Sequence, residues 1–205
     1  MPALWTHSDK LLLASTSATR LGLLVSAGLF VETQNSSINE RAVEEAAAHE
    51  CLNPPSLAAR LAAEKALAVS RRHPNRVVLG ADQVLECDGE VFHKPSDRDA
   101  AHAQLKRLAG RQHSLHSAGA LAIGGQVVER FSGTAHLTLR PLTDEAIQLY
   151  LDLAGPDVLK SVGVYQLEGF GIHLFEAVEG DHSTILGLPL LPLLAALRRL
   201  GCLAL

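Results

Sequence analysis

Apolar and polar positions follow two periods along the chain, one of helices and one of strands. Leu11 to Ala14 is an unbroken apolar run and predicts a buried strand, whereas Leu21, Leu24 and Val25 are spaced for a helix from about Thr19 to Ala27, ended by Gly28. A second short strand is expected near Leu29 to Glu32, then a polar loop over 33–41 and a helix around Val43 to His49. Asn53-Pro54-Pro55-Ser56 breaks the chain and caps a long helix from about Leu57 to Arg71.

The middle of the chain reads as sheet. A β-rich run from Val77 to Ala81 meets a second strand, and Asp88-Gly89 turns the chain before Glu90 to Phe92. Pro95-Ser96 introduces a helix to about Leu108, closed by Gly110. Two long alternating runs, 113–123 and 126–141, meet at Gly124-Gly125 and predict a long hairpin. Residues 142–153 predict a capped helix, 170–180 another strand, and the segment after Pro189 a final helix. No internal repeat or low-complexity segment is present.

Composition narrows the class. With 205 residues, 47% of them hydrophobic, the chain has ample material for a buried core in one large domain or two small lobes. A formal charge of −4, with 18 Lys and Arg scattered and unclustered, argues against a nucleic-acid partner. Cys51, Cys87 and Cys202 are far apart and odd in number, which suggests neither a disulfide framework nor a structural zinc site and points to a reducing cytoplasm. The apolar run near the start is too short for a signal-peptide core. The most apolar segment, 185–205, is interrupted by Pro189, Pro192, Arg198 and Arg199, so a buried helix is expected and no membrane partner.

Against that background a few positions stand out. Ser15, Thr16, Ser17 and Thr19 crowd the start of a helix, immediately before Arg20. One hydroxyl would cap it; several, with an arginine in the first turn, also suit phosphate oxygens. Lys65 has Leu61, Ala62, Ala68 and Val69 three and four residues away, so its ammonium either snorkels or meets an anion in a site. Asp82 ends an apolar run, as a turn residue or as a carboxylate leaving the sheet edge toward a cleft, where it could take a proton from water or hold a divalent cation. Glu40, Glu86, Asp88 and Glu90 are further carboxylates that could lie near it. Lys94, before Pro95, is held extended. No histidine pair has ligand spacing, and no Walker pattern or G-x-S-x-G elbow occurs.

The runs LASTSATR, GADQVLECDGEVFHKP, YQLEGFGIHLFEAVEG and ILGLPL, in this order, resemble the Maf family of nucleoside triphosphate pyrophosphatases from about Leu11 to Leu200. The resemblance implies a single α/β domain over 1–205 with an elongated mixed β-sheet, flanking helices and two lobes around a cleft, similar to the inosine triphosphate pyrophosphatase fold, and often a homodimer. It also implies hydrolysis of a nucleoside triphosphate, as small-molecule substrate, to monophosphate and pyrophosphate with a divalent cation, Mg or Mn. On it, the proton acceptor falls on Asp82, the phosphate contacts on Ser17 and Arg20, beside which the hydroxyl-rich turn itself adds Ser15 as a substrate contact, the lysines on Lys65 and Lys94, a second carboxylate for the metal on Glu40, and base selection on Thr19, Gln83 and Glu168. Gln83 and the run from Glu168 resemble the 7-methyl-GTP branch more than the dTTP and UTP branch; a carboxylate suits the N1 and N2 edge of a methylated guanine.

Four positions depart from the family pattern: Ala18 replaces a proline, Thr19 an arginine or tryptophan, Ser161 a frequent lysine and Asn39 a frequent acid. The expected reaction is attack of water on the α-phosphorus, with Asp82 taking the proton and Arg20, Lys65 and Lys94 holding the triphosphate. Its rivals are a nucleotide-binding regulator of septum formation without catalysis and a phosphohydrolase that removes the terminal phosphate.

Overall fold

The computed structural model describes residues 4–205. The first apolar run forms strand β1 (Leu11–Leu13), wholly buried, and the hydroxyl-rich turn feeds helix α1 (Ala18–Ser26). Ser17 caps that helix, its Oγ accepting from the Arg20 N–H at 3.3 Å, and the chain then turns into β2 (Val31–Thr33). Helix α2 (Glu40–His49) starts three residues earlier than its apolar spacing predicts, because Asn39 accepts from the Ala42 N–H and supplies the cap. Helix α3 (Pro54–Ser70) is capped by Asn53 and begins on two prolines, whose missing N–H groups would have no intrahelical acceptor there.

Strand β3 (Val78–Cys87) is one continuous ten-residue strand where two were expected. It turns at Asp88-Gly89 into β4 (Glu90–Phe92), followed by α4 (Arg98–Leu108), the hairpin of β5 (Gln112–Ile123) and β6 (Gln126–Leu139), and α5 (Asp144–Ala154). The strand expected over 170–180 is half right. Phe170–Leu174 is a 3₁₀ turn, packed so tightly that a Cβ on Gly171 would lie 2.4 Å from the Gln166 carbonyl oxygen, and only Phe175–Glu179 forms strand β7. A 3₁₀ turn at Pro156–Lys160 and the one-turn helix α6 (His182–Ile185) carry no clear periodicity; α7 (Leu190–Arg199) follows Pro189 as expected.

The fold is mixed α/β, with a seven-stranded sheet in the order β2-β1-β3-β5-β6-β7 and β4 paired to β3. Strand β1 is parallel to both β2 and β3, while β4 and β7 are antiparallel to their neighbours.

By residue contacts the chain forms two compact units. The first comprises residues up to Gln83, Ser117–Gly133 and His182–Leu205. There Leu11, Leu13, Leu79 and Ala81 pack with Leu24 of α1 and Leu193 and Leu197 of α7, while Leu12 and Val78, on the other face of their strands, pack with Val69 of α3. The second unit comprises Val84–His116 and Thr134–Asp181. Leu105, Leu108, Leu137, Ile147 and Leu151 are buried within it, and Tyr165 meets Phe175 edge-on, ring centroids 4.8 Å apart. Burial holds the His113 imidazole neutral, with a pKa near 4, and its Nε2 lies 2.6 Å from the Tyr165 hydroxyl.

Candidate functional site

In the first unit, alternation along β3 decides which side chains face which helix. Val78 and Asp82 share the α3 face; Leu79, Ala81 and Gln83 share the other. On the α3 face the contact is between backbones. A Cβ on Gly80 would fall 2.1 Å from the Ala62 carbonyl oxygen and 2.6 Å from the Ala66 nitrogen, so only glycine lets the strand and helix approach this closely. One position before Ala66, Lys65 reaches Asp82.

The Lys65 ammonium is hydrogen-bonded to Asp82 Oδ1 and lies 2.9 Å from Glu40 Oε1. Side-chain exposure is 9% for Lys65, 11% for Asp82 and 54% for Glu40, so two members of the cluster are buried and the third opens to solvent. The lysine on an apolar helix face thus meets an anion and does not snorkel. One half of the sequence reading of Asp82 is corrected: it lies inside a ten-residue strand, not at a strand end, although the pairing of β1 with β3 stops at Leu79, three residues before it. Of the other carboxylates considered, Glu40 joins it, while Asp88 and Glu90 are engaged by Arg111 and Arg107.

Arg20 approaches from the opposite face of the strand. Its Nε donates to the Gly187 carbonyl at 2.8 Å, and Nη1 donates to the Ala81 carbonyl at 3.0 Å and to Ser15 Oγ at 3.5 Å. Three of the five N–H groups of the guanidinium are therefore used, and the two on Nη2 remain for a ligand. Burial lowers its pKa, and the charges of Asp82 and Glu40 oppose that fall, so the cation and both carboxylates share one field.

The hydroxyls divide their work. Ser17 caps α1; Ser15 accepts from the Ser17 N–H at 3.2 Å and braces Arg20; Thr16 and Thr19 are exposed. Ala18, first residue of α1, keeps an N–H that proline would lack, adding a donor at the positive end of the helix. Asn39 caps α2 as an aspartate would, retaining the structural role without the charge. Ser161 ends the 3₁₀ turn at Pro156–Lys160, its Oγ 3.4 Å from the Gly163 nitrogen.

These contacts bring Ser15, Ser17, Arg20, Glu40, Lys65, Asp82 and Gln83 together within one unit, with Thr19 on the first turn of the same helix as Arg20. Lys94 and Glu168 belong to the second unit: Lys94 is exposed in the segment between β4 and α4, and Glu168 is exposed in the turn that leads into Phe170–Leu174.

A divalent cation can be tested against the donors. Among the described residues no cluster of three or more His, Cys, Asp or Glu could hold a metal. Glu40 and Asp82 nonetheless converge on one ammonium. Two carboxylates completed by phosphate oxygens and water are the set Mg²⁺ takes when it arrives with a nucleotide, so these residues fit that group.

A profile for "Maf-like protein" matches residues 10–200. The chain belongs to the Maf family. This Maf chain is 50% identical over 196 residues to a nucleoside triphosphate pyrophosphatase of Nitrobacter winogradskyi, covering 96% of each, and 50% identical over 201 residues to one of Rhodopseudomonas palustris, covering 98% of each. It is also 47% identical over 194 residues to a 7-methyl-GTP pyrophosphatase of Mesorhizobium japonicum, covering 95% of this chain and 98% of the relative. No described helix of the Maf chain is long and apolar enough to cross a membrane.

Three contributors were not singled out from sequence. Gly80 reads as an interruption in an apolar run, Ser117 as one small residue among many in an alternating strand, and Gly187 as a turn. Their partners are all distant in the chain.

Proposed function

We propose that this Maf chain hydrolyses a nucleoside triphosphate to the monophosphate and pyrophosphate. The observation that carries the reading is the convergence on Ala81 and Asp82: a guanidinium with two N–H groups unspent on one side, and a buried carboxylate paired to a buried ammonium on the other. Cations on both sides of an acid suit a polyphosphate whose charge shifts to a leaving group.

In this mechanism Arg20 and the N–H groups at the start of α1 hold phosphate oxygens, with Lys94 as a further cation. Lys65 positions the Asp82 carboxylate, which takes a proton from water as the water oxygen bonds to the α-phosphorus. The bond from that phosphorus to the bridging oxygen breaks, and pyrophosphate leaves. Glu40 and Asp82 would hold a divalent cation, Mg or Mn, which supplies charge neutralisation on the phosphates. The same reading places the protein in the cytoplasm.

The name of the Mesorhizobium relative, 7-methyl-GTP pyrophosphatase, makes that nucleotide the first to try on this chain, and the exposed Glu168 carries the carboxylate suited to a methylated guanine edge. The test is a panel of canonical and methylated triphosphates with Mg²⁺ or Mn²⁺, separating pyrophosphate from orthophosphate. Pyrophosphate release is expected, with turnover by Asp82→Asn lowered about 10²-fold or more and nucleotide binding nearly kept. Nucleotide binding without hydrolysis would favour the regulator of septum formation; orthophosphate alone would favour a terminal phosphohydrolase; preference for dTTP or UTP would move the chain to the other branch.

A further inference from the structure

Gln83 is placed by family resemblance at base selection, yet the donor nitrogen of its side-chain amide is engaged by the protein itself. Nε2 donates to Ser117 Oγ at 3.0 Å, to the Thr184 carbonyl at 3.1 Å and to the Ile185 carbonyl at 3.0 Å, two protons shared among three oxygens. Ser117, 1% exposed, passes its own proton to the same Thr184 carbonyl at 2.8 Å. Both side chains therefore converge on the end of α6.

That helix has four residues, too few to hold its shape through its own hydrogen bonds. The turn after it is closed by the Gly187 N–H, which donates to the Thr184 carbonyl at 3.0 Å. Gly187 sits at φ +94°, and its carbonyl accepts from Arg20 Nε at 2.8 Å. A Cβ there would lie 3.5 Å from both Nε and Nη2 of Arg20 and 3.7 Å from Gln83 Oε1, so the arginine, the turn and the glutamine are packed against one another. The second carbonyl on Arg20, that of Ala81, comes from β3 and is fixed by the sheet. The Gly187 carbonyl instead lies in a turn held by a few backbone hydrogen bonds of its own, Leu186 N–H to the His182 carbonyl and Leu188 N–H to the Ser183 carbonyl among them, and braced by the Gln83 and Ser117 side chains.

We infer that Gln83 and Ser117 are positioning residues for Arg20. They clamp the 184–187 turn so that its Gly187 carbonyl fixes the guanidinium and aims the unspent Nη2 edge at a phosphate. This assigns a task to Ser117 and gives the Gln83 donors an orienting role through the protein. The inference deepens the proposed function and rests on it only for the role of Arg20 toward the triphosphate.

The experiment has two readouts. Exchange of the Arg20 Nε–H, followed by ¹⁵N NMR and assigned by its loss in Arg20→Lys, reports the anchor whatever the activity. KM and kcat for the best triphosphate of the panel report the aim. Ser70→Ala serves as comparator: Ser70 is equally buried, its Oγ accepts from the Gly125 N–H at 3.0 Å, and it is not linked to Arg20.

Ser117→Ala is expected to speed Nε–H exchange at least about tenfold and raise KM about tenfold, with kcat changed by less than about threefold, the pattern of lost binding uniform to ground and transition states. Ser70→Ala, with a similar loss of stability, should move neither. Gln83→Met, which keeps the bulk and removes the donors, should repeat the Ser117→Ala pattern and replaces it if that variant does not fold. Unchanged exchange in a folded variant, or equal effects from Ser70→Ala, would overturn the inference. If the wild type releases no pyrophosphate, the functional reading fails, and the exchange measurement still decides the clamp.

Discussion

Lys65→Met is the sharpest perturbation of the site. It keeps the stem of the side chain and removes the ammonium, leaving Asp82 with a carboxylate only 11% exposed and no cation against it. Breaking a buried pair from one side costs about 3–5 kcal/mol. The contact to Glu40 adds little, because that side chain is 54% exposed and its attraction is screened by water, about 0–1 kcal/mol. Asp82→Asn should cost less, about 1–3 kcal/mol, since the carboxamide oxygen still accepts from Lys65 and Lys65 keeps Glu40. The double variant Lys65→Met/Asp82→Asn leaves neither charge buried. Its loss should fall short of the sum of the singles by about 2 kcal/mol or more. Urea unfolding at pH 7, followed by circular dichroism and scored by midpoint with the slope held common, measures all four corners of the cycle. Additivity within about 0.5 kcal/mol would refute the reasoning, because the two charges would then act independently in the folded chain.

Two other expectations follow from packing and burial. Gly80→Ala forces a Cβ to 2.1 Å from a backbone oxygen that cannot swing away, so it should cost more than the about 1–3 kcal/mol usual for overpacking and reduce turnover with stability; calorimetry and the pyrophosphate assay check this, and a Tm within a degree of wild type would contradict the close approach. His113, with a folded pKa of about 4 against 6.5 unfolded, takes its proton first in the unfolded chain, so its contribution falls as pH drops from about 6.5 to about 4, by up to about 3 kcal/mol, and is constant above that window. In His113→Gln the slope of unfolding free energy over that window should flatten; an unchanged slope would assign it elsewhere.

Much of the site could be read from the chain because its local rules are strong. Hydroxyls before Arg20, proline after Asn53 and a lysine among alanines are each visible within one turn of helix, and the structure makes of them a cap, a helix start and a buried ion pair. What could not be read is pairing. The partner of Lys65 is 17 residues away on a strand whose continuity past Ala81 is masked by Asp82 and Gln83, two polar residues that look like an ending. The tight turns at Pro156–Lys160 and Phe170–Leu174 are short and have no period to detect. Ser117 meets Gln83 34 positions away and Thr184 67 positions away, and Gly187 meets Arg20 167 positions away, contacts that no local signal reports.

The alternation of β3 has a further consequence for how the sequence can vary. Because Asp82 and Gln83 are adjacent but face opposite helices, deleting or inserting a single residue between Val78 and Ala81 would turn the acid toward the arginine and the amide toward the lysine. Length changes here should be far less tolerated than in the turn at Asp88-Gly89, where the strand has already delivered both groups.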